Sequence, residues 1–300
     1  MAYGGGVSVK YGGVNPGRSA AYATKARAAL NRQDWEIAAK YAKLAKKDHP
    51  LMDNEKYLNG GFNYTTSETI WSLEGYINQV FWYSFFAYQG SNSSSNVCTR
   101  YPCAISKELI DKIPESDIRK KMYLIPSDEE LEECNEAGKS TQKLYSRAFR
   151  DYSEKLNEKS EIYAYMQFKF QENKGTGSGN VEIFRSSEMY LTEAEADYYL
   201  GEYEEARSLL NQLNKDRDPS YNCTKTGNEL LEEIRLYRRF ELWGEGFDWF
   251  DMKRWKLPIV RHSYSEGGSF YKYFAVTIQP SDANNWVWEV PKDYVKEMSQ

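Results

Sequence analysis

The sequence predicts a mainly α-helical fold built from paired helices, with irregular loops and a few short strands. Between Ser187 and Leu200 apolar side chains recur at helical spacing, and Gly201 follows at a place where helices commonly end. A second helical pattern runs from Tyr203 to Asn214. Because so short a turn joins the two helices, they are expected to pack antiparallel as a hairpin.

A distant copy of this hairpin lies near the start of the chain. Shifting the sequence by 168 residues aligns Tyr22–Ala38 with Tyr190–Ala206, and Tyr, Thr, Ala, Glu and Ala recur at matching places. Small residues such as Ala194 allow two helices to approach closely where they cross. Similarity at a fixed offset is typical of helical repeats. Residues 18–47 and 187–214 are therefore both predicted to form tetratricopeptide-like hairpins.

The first helix of the second hairpin is expected to be amphipathic. Its apolar residues would face the partner helix, and the carboxylates between them would face solvent. These carboxylates belong to Glu188, Glu193 and Glu195.

The remaining elements show weaker patterns. A short strand is expected at Thr66–Trp71 and a helix at Ile105–Ile113, whereas Ile162–Phe170 fits either type of element. Helical structure is predicted over Glu229–Trp255, because Pro258 follows and cannot continue a helix. Residues 271–278 are expected to include a short strand.

Composition excludes several classes of function. The net charge is −5 without a basic stripe, which argues against nucleic acid as a partner. No apolar run reaches the length of about 18 residues that a membrane span needs. Only two histidines occur, and four cysteines are unevenly spaced, so neither a zinc site nor a disulfide framework is predicted. The close spacing of Cys98 and Cys103 permits a disulfide without requiring one.

Catalysis is not predicted. Neither histidine lies in a recognisable nucleophile motif, so Ser-His-Asp and Cys-His chemistry have no support. Glutamate pairs such as Glu241 and Glu245 lie on predicted helices near arginines such as Arg185, which favours structural ion pairs over glycoside hydrolysis. The chain is expected to be no enzyme and to need no cofactor.

Aromatic residues, 15% of the chain, suggest a binding function instead. The ring-rich stretch Val80–Gly90 runs directly into the polar stretch Ser91–Asn96. A sugar ring stacks on aromatic side chains while amides and hydroxyls bind its oxygens, although a core segment followed by a solvent loop would look similar. The candidate stacking groups are Trp82, Tyr83, Tyr88 and Tyr101, and the candidate hydrogen-bond donors are Asn92, Asn96 and Arg100. A second aromatic cluster, which includes Trp243, Phe247 and Phe250, has helical spacing and is predicted to lie in the core.

Four ordered motifs resemble the C-terminal signature of the SusD/RagB family. They are Arg185–Ala196, Ala206–Asn211, Glu241–Gly246 with Asp251–Trp255, and Trp288–Pro291. The opening segment Gly17–Ala42 is similar to the internal repeat helices of that family. The resemblance implies one SusD-like α/α domain over residues 1–300. Within it we expect a hairpin at 18–50, an irregular ligand-binding segment at 51–180, a hairpin with signature helices at 181–257 and a C-terminal segment at 258–300.

The resemblance also implies a function. Such a protein captures oligosaccharide or polysaccharide at the surface of the outer membrane and delivers it to a SusC-like TonB-dependent transporter. Family members are lipoproteins with an N-terminal lipid anchor, and we interpret this chain as an N-terminally truncated form in which the anchor is expected to be absent. A helical-repeat scaffold that binds peptides or proteins is the alternative that the sequence leaves open.

Overall fold

The computed structural model describes residues 16–75, 84–173 and 177–281, and the mainly α fold class is confirmed. The described residues form twelve α-helices: α1 (Arg18–Arg32), α2 (Trp35–Lys46), α3 (Asn54–Leu58), α4 (Phe85–Gln89), α5 (Asn96–Arg100), α6 (Lys107–Ile110), α7 (Asp128–Glu132), α8 (Lys143–Tyr152), α9 (Ser186–Leu200), α10 (Tyr203–Asn214), α11 (Gly227–Glu241) and α12 (Asp248–Trp255).

Six short strands pair in twos within the same ranges: β1 (Thr69–Leu73) with β4 (Val181–Arg185), β2 (Lys139–Ser140) with β3 (Ile162–Tyr163), and β5 (Ile259–Val260) with β6 (Thr277–Ile278). All three pairs are antiparallel. The β1–β4 pair connects the segment after the first hairpin to the start of α9, because β4 ends where α9 begins.

Both predicted hairpins are present, as α1–α2 and α9–α10. The alanines on the facing sides of α1 and α2 are fully buried, including Ala23, Ala26 and Ala38. Their small side chains let the two helices pack closely, and α2 in turn packs against α9. Gly201 ends α9 with a φ of +86°, a left-handed conformation that glycine adopts without steric cost.

The expectation of a solvated face on α9 is wrong. Glu188, Glu193 and Glu195 are all buried, with exposed fractions of 1%, 6% and 0%. The physical reason is that α9 packs against α2, α10 and α11, which cover it on several sides along most of its length.

Cations from other elements neutralise these buried carboxylates. Arg27 of α1 binds Glu188 at 2.6 Å, and Lys46 of α2 binds Glu193 at 3.2 Å. Arg254 of α12 pairs with Glu195, which also accepts a hydrogen bond from the indole of Trp255 at 2.8 Å. Because each of these carboxylates has a cationic partner, α9 can lie at the centre of the fold.

A larger group of buried charges joins the second hairpin to the segment between the hairpins. We call it the buried charge cluster, and its members are Glu68, Asp117, Arg119, Lys169, Arg185, Arg217, Glu241 and Glu245. Arg185 lies at its centre and binds Glu68 and Glu241 at 2.7 Å each through Nη1, and Glu245 at 2.7 Å through Nη2. The predicted ion pairing of Glu241 and Glu245 with Arg185 is confirmed.

Several minor elements differ from prediction. The helix expected over Ile105–Ile113 shortens to α6, and Ile162–Phe170 forms only β3 before continuing as irregular chain. In the segment predicted to contain a short strand, residues 272–274 form a 3-10 turn and β6 follows. Phe168 and Phe170 are buried in the main hydrophobic core, where tertiary contacts rather than local pattern hold this segment.

Candidate functional site

Residues 85–89 of the ring-rich stretch form the short helix α4, and the polar stretch after it leads to the short helix α5. Ser84 caps α4 by accepting a hydrogen bond from the Ala87 amide at 3.3 Å, and Ser95 caps α5 by accepting one from the Val97 amide at 3.3 Å. The thiol of Cys98 donates to the Ala87 carbonyl at 3.1 Å. This contact holds α5 against α4.

The polar stretch between the helices alternates in burial. Ser91, Ser93 and Ser95 point inward with exposed fractions of 3%, 0% and 4%, whereas Ser94 and Asn96 are exposed. The inward serines anchor the chain, since Ser91 donates through its hydroxyl to the Lys155 carbonyl at 2.7 Å. The polar stretch is therefore a surface segment anchored by its buried serines, and Ser94 and Asn96 face outward from it.

The structure places the candidate binding residues in different environments. Tyr101 is 70% exposed and Tyr88 is 37% exposed. Asn96 and Arg100, at the two ends of α5, are exposed as well. We call these four exposed residues, which lie on or directly after α4 and α5, the α4–α5 surface. Trp82 and Tyr83 lie outside the described residues.

Asn92 differs because its amide group binds the protein itself. Its Oδ1 atom accepts a hydrogen bond from the Glu172 amide at 2.6 Å, and its Nδ2 atom donates to the Glu172 carbonyl at 3.2 Å. This double contact joins the polar stretch to the segment at residues 170–173.

Cys98 and Cys103 are free thiols in the structure. Burial raises the pKa of Cys98 to about 12 and also raises the pKa of Cys103. Cys103 donates to the Tyr88 carbonyl at 3.8 Å, so both thiols contact the backbone of α4.

A cavity of about 800 Å³ opens beside α4, and its other walls come from α1, β4 and the turn that precedes α12. We call it the α4–α12 cavity. Phe85 and Gln89 line it from α4, and Phe247 and Phe250 line it from the α12 side. Sequence reasoning missed this site, because its walls come from four separate parts of the chain.

Phe250 corrects one prediction directly. It was expected in the core with Trp243 and Phe247, yet it is 61% exposed. On α12 the inward positions are occupied by Asp251, Met252 and Trp255, which are buried, so the helical turn directs Phe250 outward.

One carboxyl group beside the cavity is incompletely satisfied. The Oε1 atom of Glu182 on β4 accepts a hydrogen bond from the Thr69 hydroxyl at 2.7 Å. Its Oε2 atom is enclosed and has no hydrogen-bond partner among the described residues. Burial raises the pKa of Glu182 well above its ordinary value, which disfavours the charged form of this carboxyl group.

The paired carboxylates that the sequence offers as catalytic candidates form ion pairs in the structure. Within residues 16–75, 84–173 and 177–281 there is no group of three or more histidine, cysteine or acidic side chains that could hold a metal. Glu188, Glu195, Glu241 and Glu245 are all engaged by cations in the interior. None of the helices in these same ranges has the length and apolar character that crossing a bilayer requires.

Solved structures of known proteins resemble nearly the whole chain. The chain resembles the crystal structure of a SusD-like carbohydrate binding protein from Bacteroides vulgatus, with a TM-score of 0.70 at 21% identity over 97% of this chain and 60% of that one. A SusD superfamily protein from the same species gives a TM-score of 0.69 at 18% identity, over 98% of this chain and 60% of that one. The chain thus spans about 60% of the length of these solved relatives.

Sequence comparison agrees with the structural likeness. The SusD-like protein P38 of Formosa agariphila is 34% identical over 84 residues, which are 25% of this chain and 17% of that protein. A sequence model described as the SusD family matches residues 64–297. Because this match covers more than half of the chain, the protein belongs to the SusD family.

Proposed function

We propose that this chain binds oligosaccharide at the bacterial cell surface without altering it chemically, and delivers it to a SusC-like TonB-dependent transporter in the outer membrane. The observation that carries the proposal is the α4–α5 surface, which presents two exposed tyrosine rings together with exposed Asn96 and Arg100 on or directly after two helices that contact each other. Rings stack on the C–H face of a pyranose, and the amide and guanidinium groups bind its hydroxyls. Family membership and the carbohydrate-binding relative from B. vulgatus support the same proposal.

The affinity of such a surface is modest. Stacking on one or two exposed rings together with a few solvent-exposed hydrogen bonds leaves little free energy after the cost of ordering the ligand. We expect dissociation constants from about micromolar to millimolar.

The transporter would contact the helical hairpins. Where the two hairpins turn, Trp35 stacks on Tyr199 with ring centroids 4.1 Å apart, and Tyr199 and Tyr203 are 40% and 45% exposed. Exposed aromatic residues are typical anchors of protein interfaces. Tyr203→Glu is the variant that tests this contact, through its effect on complex formation with the purified transporter.

Affinity electrophoresis through gels that contain starch, xylan, mannan or pectin tests the proposed carbohydrate binding. We expect retardation on at least one gel, and Tyr101→Ala should weaken binding about threefold to tenfold with an unchanged melting temperature. Tyr273→Ala is the matched control, because Tyr273 is 75% exposed and lies outside the α4–α5 surface. Equal migration on every gel, together with binding to a peptide library, would replace this proposal with a peptide-binding scaffold.

A further inference from the structure

The α4–α12 cavity has aromatic walls next to the proposed binding surface. Phe85 on α4 is partly buried, and Phe250 on α12 is 61% exposed. Phe247 lies between α11 and α12 with the guanidinium groups of Arg27 and Arg238 5.0 and 5.3 Å from its ring centroid. A large exposed ring contributes little to stability, so Phe250 is available to contact a ligand.

Uncommitted hydrogen-bonding groups lie among these rings. The Asn31 Nδ2 atom donates to the Arg27 carbonyl at 2.8 Å, while its Oδ1 atom has no hydrogen-bond partner within the part of the chain that the structure describes. The side-chain amide of Gln89 has no partner among the described residues, and it lines the cavity with Asn31. A Cβ atom built on Gly246 would meet nothing within 4 Å, so the backbone there borders open space.

The charged groups in the cavity wall are already compensated. Arg27 binds Glu188 and the Ile183 carbonyl at 2.6 Å each, and Arg238 binds Asp251 at 2.7 Å.

The carboxyl groups in the wall are compensated as well. Glu245 binds Arg185 at 2.7 Å, and its partner Lys169 lies in the buried charge cluster. The Glu182 carboxyl group is enclosed, and burial disfavours its charged form. A charged ligand would therefore meet no unpaired opposite charge in this wall, and the cavity favours a neutral ligand rich in hydroxyl groups.

The volume and the position of the α4–α12 cavity are also consistent with an oligosaccharide ligand. A volume of about 800 Å³ lies within the range of small-molecule sites, roughly 300 to 1,000 Å³. Phe85 and Gln89, four residues apart on α4, line the cavity, and Tyr88 of the same helix belongs to the α4–α5 surface. A ligand chain could therefore cross from one to the other along a single helical turn.

From these observations we propose that the α4–α12 cavity is a second carbohydrate subsite, which takes the end of a neutral oligosaccharide whose remaining units lie on the α4–α5 surface. Phe250 and Phe85 contact the sugar rings, and Gln89 and Asn31 bind hydroxyl groups. This inference rests on the proposed function and adds to it an extended site selective for neutral chains.

The test measures affinity against oligosaccharide length by isothermal titration calorimetry. The probes are neutral linear oligosaccharides of two to seven units, prepared from the polysaccharide that retards the wild-type protein in gels. We expect wild-type affinity to increase with length. Phe250→Ala should reduce affinity for the longest probes about threefold to tenfold and leave the disaccharide unaffected.

Phe274→Ala is the matched control, because Phe274 is also 61% exposed and does not line the cavity. Melting temperatures of both variants show whether folding is retained. Phe250→Trp provides a second measurement, since it should preserve binding and change its fluorescence when the long probes are added. Gln89→Ala should also weaken binding of the long probes, with a smaller effect than Phe250→Ala.

The outcomes separate the two proposals. If the wild-type protein binds no probe and no gel retards it, the proposed function itself is wrong. If it binds the long probes and Phe250→Ala behaves like Phe274→Ala, carbohydrate binding stands and the second subsite is refuted. Tighter binding of sulfated or uronate-containing chains than of neutral chains would likewise refute a subsite for neutral sugars.

Discussion

Glu241 offers the sharpest test of how this fold is stabilised. Its carboxylate is fully buried and accepts hydrogen bonds from Arg185 at 2.7 Å, from Arg119 at 3.0 Å and from the Tyr57 hydroxyl at 3.2 Å. The buried charge cluster contains four cations and four carboxylates, so its charges balance. Glu241→Gln keeps the shape of the side chain and leaves one positive charge uncompensated in the interior.

Removing one partner of a buried ion pair typically costs about 3 to 5 kcal/mol, because the remaining charge stays desolvated. We expect Glu241→Gln to lower the free energy of unfolding by this amount at pH 7. The total for a domain is only about 5 to 15 kcal/mol, so the variant should unfold at much lower urea concentration. Circular dichroism at increasing urea concentration measures the difference.

The control lies on the same helix. Glu232 pairs with Arg235 at 2.7 Å but its side chain is 52% exposed, so Glu232→Gln should cost less than about 1 kcal/mol. If the two variants were equally stable, the reasoning that buried charges in this cluster depend on mutual compensation would be refuted.

The pH dependence of the stability difference between wild type and Glu241→Gln provides an independent test. Burial alone would raise the pKa of Glu241, but Arg185 and Arg119 outweigh burial and hold it well below the ordinary value of 4.5. A carboxylate with a lowered pKa in the folded state contributes stability above its unfolded pKa, and this contribution is lost as the pH falls. The difference between wild type and Glu241→Gln should therefore shrink as the pH is lowered from 7 towards 3.

Two further predictions concern single positions in the second hairpin. Burial raises the pKa of Asp197 to about 6, so the charged carboxylate lowers the stability of the folded protein above that pH, and this cost decreases as the pH falls towards 4. Asp197→Asn should therefore raise the melting temperature at pH 7.5 more than at pH 4.5. An increase of equal size at both pH values would contradict this reasoning. Gly201→Ala should lower the free energy of unfolding by about 1 kcal/mol, because the φ of +86° is strained for alanine. The added methyl group would meet no atom within 4 Å, so no new contact would offset the strain. Urea unfolding measures the change, and an unchanged midpoint would show that the turn relaxes.

The hairpins were predictable because their determinants are local. Ala194 and Ala206 mark close helix packing, and Gly201 marks the turn, all within one short stretch of sequence. The ordered signature motifs at Arg185–Ala196 and Glu241–Gly246 indicated the family for the same reason, and the match over residues 64–297 confirms it.

The environment of α9 was not predictable in this way. Helical spacing indicates which residues share a face, but not how many neighbours cover the helix. The cations that neutralise Glu188 and Glu195 are 161 and 59 residues away in sequence. A carboxylate bound by a distant arginine and one in water look alike in the sequence.

The candidate site also combines features that the sequence predicted with features that depend on distant residues. The sequence indicated a ring-and-amide surface on neighbouring residues, and Tyr88 and Tyr101 do lie exposed there. It did not show that the Asn92 amide binds the backbone of Glu172, because that partner is 80 residues away.

By itself the sequence determined the helix pairs, the family and the absence of recognisable catalytic motifs, because each depends on residues that are close in the chain. Only the tertiary structure decided which charges are buried, that Phe250 faces outward and that a cavity opens beside α4. Burial depends on what packs against a side chain from every direction. The walls of the cavity, from Arg27 on α1 to Asp251 on α12, meet only when the chain folds.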